Sequence, residues 1–436
     1  MKTAIKNVQI ITMNSHRDVY ENGYVVFEGG RILEIGTMDS LLSFTGEVID
    51  GANGILMPGM INLHTHLGMI PFRGLKDDCK DRLRKFLLPM EEKFMTADLA
   101  AASAKYAICE LLLSGVTTFF DMYYFENEIA KAAEKMKIRG ILGETIMEHR
   151  SFRGYSSNSQ NFDSVERFIH NWKDHPLITP AIAPHGTNTC SIEALKKCRQ
   201  LSGKYQIPLT IHAAEMDYEM NYFKSRYHST PIEFLAEIGV LDEWTVAAHC
   251  IHVNKKDLEL IKKADTSIAH CIGSNTKAAK GVAPVKQMLD LGIVVGLGTD
   301  GPASGNTLDL FTQFKLCANF HKNETKDRTA FPAKEVISLG TIQGARALHM
   351  DDKIGSIEVG KQADLVLLET KSVNMFPVYD PHSAVVYSGN SSNVDTVFVA
   401  GQCLVKNKRL VHCDLDEIKE QLSEEMKRVS FVSETY

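Results

Sequence analysis

Apolar and polar positions follow two different rhythms along this chain. Over residues 1–57 they alternate in short segments, the period of a half-buried strand, at 4–11 (AIKNVQII), 23–27 (GYVVF) and 30–35 (GRILEI). Glu28-Gly29-Gly30 reads as a tight turn between two of these segments. From about residue 58 the rhythm becomes strand, then helix, repeated. Eight short apolar runs carry a polar or catalytic-type residue at or near their end: 60–66 (MINLHTH), 116–121 (VTTFFD), 138–146 (IRGILGETI), 177–185 (LITPAIAPH), 207–215 (IPLTIHAAE), 244–250 (WTVAAHC), 266–271 (TSIAHC) and 293–300 (IVVGLGTD). Between them, stretches such as 98–113, 191–201 and 255–263 repeat apolar residues at helical spacing under charged outer faces. After about residue 350, strand character returns at 355–360, 363–368, 395–399 and 402–405, the last two joined through Ala400-Gly401 as a hairpin. Residues 414–428 read as a charged surface helix.

Eight strand–helix units in about 240 residues match the arithmetic of a (β/α)8 barrel, and a doubly wound open sheet is the alternative. The polar residues decide between them. His64, His66, His185, His212, His249, His270 and Asp300 all fall at C-terminal strand ends, which a barrel gathers at one mouth, where active sites lie. The expected fold is therefore α/β: a (β/α)8 TIM barrel over 58–354, with a small discontinuous β-sandwich domain built from 1–57 and 355–436.

Composition narrows the partners. At 436 residues, 44% hydrophobic and 23% charged, the chain has the make-up of an ordinary globular protein with room for a large domain and a smaller one. A net charge of −6 offers no basic surface for nucleic acid or an anionic membrane. The nine cysteines are odd in number, scattered and without a CxxC pair, which predicts reduced thiols rather than disulfides or a cysteine-ligated metal. The opening MKTAIKNVQIITMNS lacks the apolar h-region of a signal peptide, and no apolar run approaches the roughly 18–20 residues of a membrane helix. The expectation is a soluble, cytoplasmic protein acting on a small molecule, with homo-oligomerisation left open.

The chemistry starts in MPGMINLHTH, residues 57–66. Pro58-Gly59 bounds a short buried strand that ends in His64 and His66, and side chains two apart on a strand share a face. Two imidazoles are thereby presented as a pair of metal ligands. Alone the pair is weak, since each such histidine is more often a hydrogen-bonded core residue. Strand five adds His212, strand six His249 and strand eight Asp300, and five coincidences of residue type with strand end point to a metal. Imidazole plus carboxylate suits Zn²⁺ or Fe²⁺, not a thiolate-seeking ion.

The order HxH, then HxxE (His212-Ala213-Ala214-Glu215), then His249, then Asp300 resembles the amidohydrolase superfamily. PGMINLHTH, PMEE at 89–92, GVTTFFDMY, APHGT, IHAAE, AAHC, GLGTDG and GSIEVGKQADLVLLE resemble its aminohydrolase branch, which includes 5′-methylthioadenosine/S-adenosylhomocysteine deaminases, guanine deaminases and triazine chlorohydrolases. The resemblance covers nearly the whole chain. It implies that His64, His66, His212 and Asp300 ligate one divalent metal ion, Zn²⁺ with Fe²⁺ as the alternative, and that His249 contacts the water on it. Binuclear relatives carry a carboxylated lysine at the end of strand four; ITPAIAPH has none, which implies a mononuclear site. Asp300 would then act as base, Glu215 would protonate the ring nitrogen beside the amino-bearing carbon, and His249 would orient the water. The implied activity is hydrolytic deamination of an amino-substituted N-heterocycle, an adenosine derivative such as 5′-methylthioadenosine or S-adenosylhomocysteine. Guanine, a pterin or a triazine is the alternative substrate, and a non-catalytic binding barrel the alternative class.

The same resemblance nominates substrate contacts. His185 in APHGT matches a substrate-contacting histidine, and Glu91 in PMEE matches a carboxylate that binds ribose hydroxyls. Two positions depart from the thioadenosine pattern. Arg82 stands where a stacking tryptophan is usual, and Glu144 where an arginine commonly meets the homocysteine carboxylate, with Arg150 and Arg153 near enough to substitute. The polar loop 150–162 reads as a lid over the mouth.

Overall fold

The computed structural model describes residues 2–41, 43–148, 151–152, 155–156 and 162–430. Two sheets of eight strands organise them. The first is mixed and comes from both ends of the chain. Strands β1 (Thr3–Ile11), β2 (Val19–Glu28), β3 (Arg31–Thr37) and β4 (Glu47–Pro58) join β15 (Leu365–Leu368), β16 (Val394–Val399), β17 (Gln402–Lys406) and β18 (Arg409–Leu410) in the order β18-β17-β16-β15-β4-β1-β2-β3. The two termini are stitched where Leu365–Leu368 runs antiparallel to Ile55–Pro58. One face buries alternate residues of both halves, Ile5, Val25, Phe27, Leu56, Leu365, Leu367 and Phe398 among them, with the Phe27 and Phe398 rings edge to face at 5.2 Å. The period-two pattern of the sequence is this face.

The second sheet is wholly parallel: β5 (Met60–Thr65), β6 (Val116–Tyr123), β7 (Arg139–Ile146), β10 (Ile178–Pro184), β11 (Leu209–Ala213), β12 (Thr245–His249), β13 (Ser267–His270) and β14 (Val295–Leu297). A short antiparallel pair, β8 (Ser151–Phe152) and β9 (Tyr155–Ser156), stands apart from it. Neighbours in the parallel sheet follow chain order without the reversal that marks a doubly wound sheet. The Asp300 N–H, just past β14, donates to the His64 carbonyl on β5 at 3.0 Å, so the sheet nearly closes into a barrel. Strands β5, β6 and β7 are buried along their whole length, as strands covered on both faces must be. Seven of the eight apolar runs read from the sequence contain one of these strands, and the run 116–121 covers the first six residues of β6, which continues to Tyr123.

By density of contacts the described chain divides into two compact units. One comprises 1–62, 110–118 and 309–412, and the other 63–109, 119–308 and 413–436. The helix Leu415–Arg428 starts where Asp414 Oδ1 accepts the Asp416 and Glu417 N–H groups, an acidic cap at a helix N-terminus. Among the described residues no helix is long and apolar enough to cross a membrane.

At the end of β15, Glu369 gathers the strand's exit. Its carboxylate accepts the Lys371 and Ser372 N–H groups at 2.7 and 3.0 Å, the Asn393 amide at 3.1 Å and the Lys408 ammonium at 3.0 Å. Burial opposes the charge, but the bonds from Ser372, Lys408 and Asn393 outweigh it and hold the acid down at about 2. A carboxyl lowered on folding stabilises the fold above its unfolded pKa and ceases to do so as pH falls through the folded value. Glu369→Gln is therefore expected to lose about 2 kcal/mol at neutral pH. Thermal unfolding from pH 7 to pH 2 should show the gap to wild type closing below about pH 4.5; a gap independent of pH would contradict this.

Candidate active site

The strand-end residues of the second unit meet in one place. His64 lies within β5 and His66 one residue past its end, so both imidazoles leave the same face. Two glycines let the opposite segment approach. A Cβ on Gly298 would stand 2.9 Å from the His64 Cβ, and one on Gly301 would stand 3.1 Å from the His66 Cβ. The His64 ring lies 4.7 Å from His66, 4.9 Å from His212 and 5.5 Å from His249, centroid to centroid. Ligand atoms of His64, His66 and Asp300 all fall within 4.8 Å of one another, as do those of His64, His212 and His249. Four residues at these strand ends adopt the left-handed conformation: Ala214 (φ 50°), His249 (φ 73°), Cys250 (φ 45°) and Asp300 (φ 60°). Such backbone costs about 1–3 kcal/mol each and gathers at functional sites.

Outer contacts aim the rings. His66 Nδ1 pairs with the Met122 carbonyl at 2.6 Å, His212 Nδ1 with the His185 carbonyl at 2.5 Å, and His249 Nδ1 with Asn275 Oδ1 at 2.8 Å. Each Nδ1–H is thereby engaged, and each Nε2 is turned to the centre. His66 Nε2 faces Asp300 Oδ1 at 3.2 Å.

The electrostatics fit a cation. Burial, then the neighbouring imidazoles, push His64 and His212 well below the usual histidine range, which leaves them as neutral ligands. Burial opposes a charge on His66 as well, but the hydrogen bond and charge of Asp300 raise it to about 9. Burial would raise Asp300, yet His66 first, then His249 and Lys280, hold it well below the carboxylate range. His64 Nε2 is buried with no hydrogen-bond partner among the described residues. An orphaned polar atom of that kind costs about 1–3 kcal/mol unless something binds it. Neutral imidazoles on His64 and His212, an ionised carboxylate and an orphan nitrogen make a donor set for a divalent metal ion, which would displace the proton that Asp300 holds on His66.

Glu215 stands on the rim of this cluster. Its loop is built by Glu219, whose carboxylate accepts the Ala214 N–H at 3.0 Å, the Glu215 N–H at 2.8 Å and the Thr187 hydroxyl at 2.5 Å. Glu215 Oε1 lies 3.7 Å from His249 Nε2 and takes a 2.5 Å hydrogen bond from Lys280 Nζ. Burial would raise this acid, but His249, Lys280 and His212 together bring it down to about 2.

A cavity of about 480 Å³ opens over the cluster, within the usual range for a small-molecule site. Its wall includes His66, His185, His212, Glu215, His249 and Asp300, and with them the apolar Met69, Leu83, Leu87 and Leu88 and the Tyr123 ring. Glu91, in the first turn of the helix Leu88–Phe94, also lines it and accepts the Tyr123 hydroxyl at 2.5 Å. His185 Nδ1 pairs with Thr189 Oγ1 at 2.9 Å.

The two departures have other placements. Arg82 borders the cavity, but its guanidinium donates to the carbonyls of Phe72, Leu75 and Ala303 and pairs with Asp77 at 3.3 Å. It ties chain segments together instead of presenting a flat face to a ring. Glu144, on β7, accepts the Phe125 and Glu126 N–H groups at 3.1 and 2.9 Å, where the helix Glu126–Met136 begins. That carboxylate caps a helix and does not line the cavity. Arg150 and Arg153 lie outside the described residues, as does most of the 150–162 loop.

Glu219, Asn275, Tyr123 and Lys280 were not read from the sequence as parts of a site. Only Glu219 carries a local signal, a glutamate placed to fold back on the start of the helix Asp217–Tyr227. The others become visible only when distant segments meet.

A barrel whose strand ends hold such a cluster beside a lone acid defines the class of metal-dependent hydrolases. The chain belongs to the amidohydrolase family, whose profile matches residues 55–404. It is 36% identical to a 5-methylthioadenosine/S-adenosylhomocysteine deaminase from Thermodesulfovibrio yellowstonii over 96% of each chain. It is likewise 36% identical to a 5′-deoxyadenosine deaminase from Methanosarcina barkeri over 95% of each. The solved structure of an adenosine deaminase from Xanthomonas campestris with bound zinc matches with a TM-score of 0.95 at 28% identity, over 99% of both chains.

His66→Ala removes one donor and the partner of Asp300. Metal retained after dialysis, measured by atomic emission, is expected to fall at least about tenfold, the loss that changes outside a ligand set already bring. Unchanged metal content would place the ion elsewhere.

Proposed function

We propose that this chain is a hydrolytic deaminase of adenosine-type nucleosides, acting with one divalent ion, zinc by preference, held by His64, His66, His212 and Asp300. The observation that carries the reading is Glu215, an ionised acid set against His249 on the rim of the imidazole–carboxylate cluster and inside the same cavity. When bound, the ion supplies an acidified water, its pKa lowered from 15.7 towards about 7.

The protein's own groups then move protons. Asp300 and Glu215 both start as carboxylates, so neither delivers a proton it already holds. Asp300, facing the cluster, accepts the proton that the water loses as its oxygen bonds to the amino-bearing carbon. Glu215 takes the first proton the water sheds and gives it to the adjacent ring nitrogen, while the second, taken by Asp300, passes to the amino group as it departs. His249, held by Asn275, orients the attacking oxygen. The C–N bond then breaks, ammonia leaves with the returned proton, and a lactam remains.

Substrate choice follows from the wall. Glu91, fixed by Tyr123, supplies an acceptor for ribose hydroxyls. Met69, Leu83, Leu87 and Leu88 form an apolar side suited to an uncharged 5′ substituent, and Arg82 is already committed to backbone carbonyls and Asp77. This favours 5′-methylthioadenosine or 5′-deoxyadenosine over S-adenosylhomocysteine, whose tail carries charge. The relatives named for adenosine derivatives support the nucleoside class, and the 5′-deoxyadenosine deaminase relative supports an uncharged 5′ substituent. All nine cysteines are free thiols, in keeping with a reducing cytoplasm.

A ring-absorbance assay over adenosine derivatives, guanine and amino-triazines tests the proposal. Turnover of 5′-methylthioadenosine or 5′-deoxyadenosine above the other rings is expected; turnover of guanine or a triazine alone would overturn the nucleoside assignment. Glu215→Gln should lose about 10²–10⁴ in rate with its metal retained. Near-normal activity in that variant would remove Glu215 from the mechanism.

A further inference from the structure

We propose that Lys280 is a positioning residue for Glu215, locking one carboxylate oxygen so that the other is presented to substrate. The inference rests on the deaminase reading of Glu215 and adds a part that this reading does not require.

The Lys280 ammonium reaches Glu215 Oε1 at 2.5 Å, deep enough that the two side chains are only 14% and 11% exposed. An ammonium is rarely taken that far from water without a purpose, because its desolvation must be offset by a close partner. Burial disfavours its charge, and the Glu215 and Asp300 carboxylates outweigh burial and keep it protonated. Oε1 also faces His249 Nε2 at 3.7 Å, whereas Oε2 takes no hydrogen bond among the described residues, on a residue that lines the cavity. Glu219 meanwhile fixes the Glu215 backbone. The acid is thus held at its main chain and at one oxygen, with the second oxygen left for proton transfer.

The anchor is built for this. The Lys280 N–H returns to the Asn275 carbonyl at 3.0 Å after Ala279 turns through a left-handed conformation (φ 53°). Asn275 belongs to the helix Ile272–Lys277 and holds His249 through its side chain. One short helix and its exit therefore orient both His249 and Glu215. Neither Lys280 nor Asn275 is a metal donor, so the device works on the acid and not on the ion.

The test compares Lys280→Met, which keeps the stem and removes the charge, with Lys280→Arg, which keeps the charge. A proton-transfer group loosened by an ångström loses about 10–100-fold in rate. Lys280→Met should lower kcat by that factor with KM within about threefold of wild type and metal content unchanged, and Lys280→Arg should recover most of it. A raised KM at unchanged kcat would make Lys280 a substrate contact and overturn the proposal. Equal impairment of the two variants would reduce it to packing and overturn it as well. A second readout needs no turnover. The ¹³C carboxylate resonance of Glu215, assigned by its loss in Glu215→Gln, should move in Lys280→Met and stay near its wild-type position in Lys280→Arg. Failure of every heterocycle to react would sink the deaminase reading while this resonance still decides the pairing.

Discussion

Everything in the catalytic half hangs on the meeting of Asp300 with the His64–His66 segment. The Asp300 N–H binds the His64 carbonyl, and its carboxylate faces His66. One bond brings the last strand of the barrel to the first, and the other joins the carboxylate to the imidazole cluster. Fold closure and site formation are the same event. The contact is possible because Gly298 and Gly301 bring backbone where side chains would collide with both histidines. It also forces Asp300 into a left-handed conformation, a strain of about 1–3 kcal/mol that only a cooperatively packed barrel can hold.

From that junction the charge pattern spreads outward in a definite order. Burial keeps His64 and His212 neutral, Asp300 stays ionised, and Glu215 is kept ionised by His249 and Lys280. A site assembled this way carries negative charge at its two acids, neutral nitrogen on His64 and His212, and on His66 a proton held by Asp300 that a divalent cation would displace. The outer contacts from Met122, the His185 carbonyl and Asn275 keep the rings from turning to satisfy the acids in other ways. Apolar side chains, Met69, Leu83, Leu87 and Leu88, line the same cavity as these polar groups.

The parts legible in the sequence are those governed by periodicity. Seven of the eight apolar runs contain a barrel strand and the eighth, 116–121, covers most of one, because a strand buried on both faces must be largely apolar. Hence His64, His212, His249 and Asp300 stand out in the sequence at strand ends, and the structure brings their side chains together. Arg82 and Glu144 show where periodicity stops informing. Both were aligned to positions that touch substrate, yet one guanidinium is consumed by three carbonyls and Asp77, and the other group caps a helix. Sequence position locates a Cα, whereas the use of a long polar side chain depends on which unsatisfied backbone groups come within its reach. Lys280 was overlooked for the same reason: it lies 65 residues from Glu215, and nothing near it in the chain announces an acid.

The central claim is that a single bound ion, seated at the Asp300–His66 junction, carries the deamination. Its most direct test is a titration of chelator-stripped protein with zinc, following 5′-methylthioadenosine turnover by ring absorbance. The account predicts that activity rises in proportion to added metal and levels off at about one equivalent per chain. Full activity in the stripped protein, or a break near two equivalents, would contradict it.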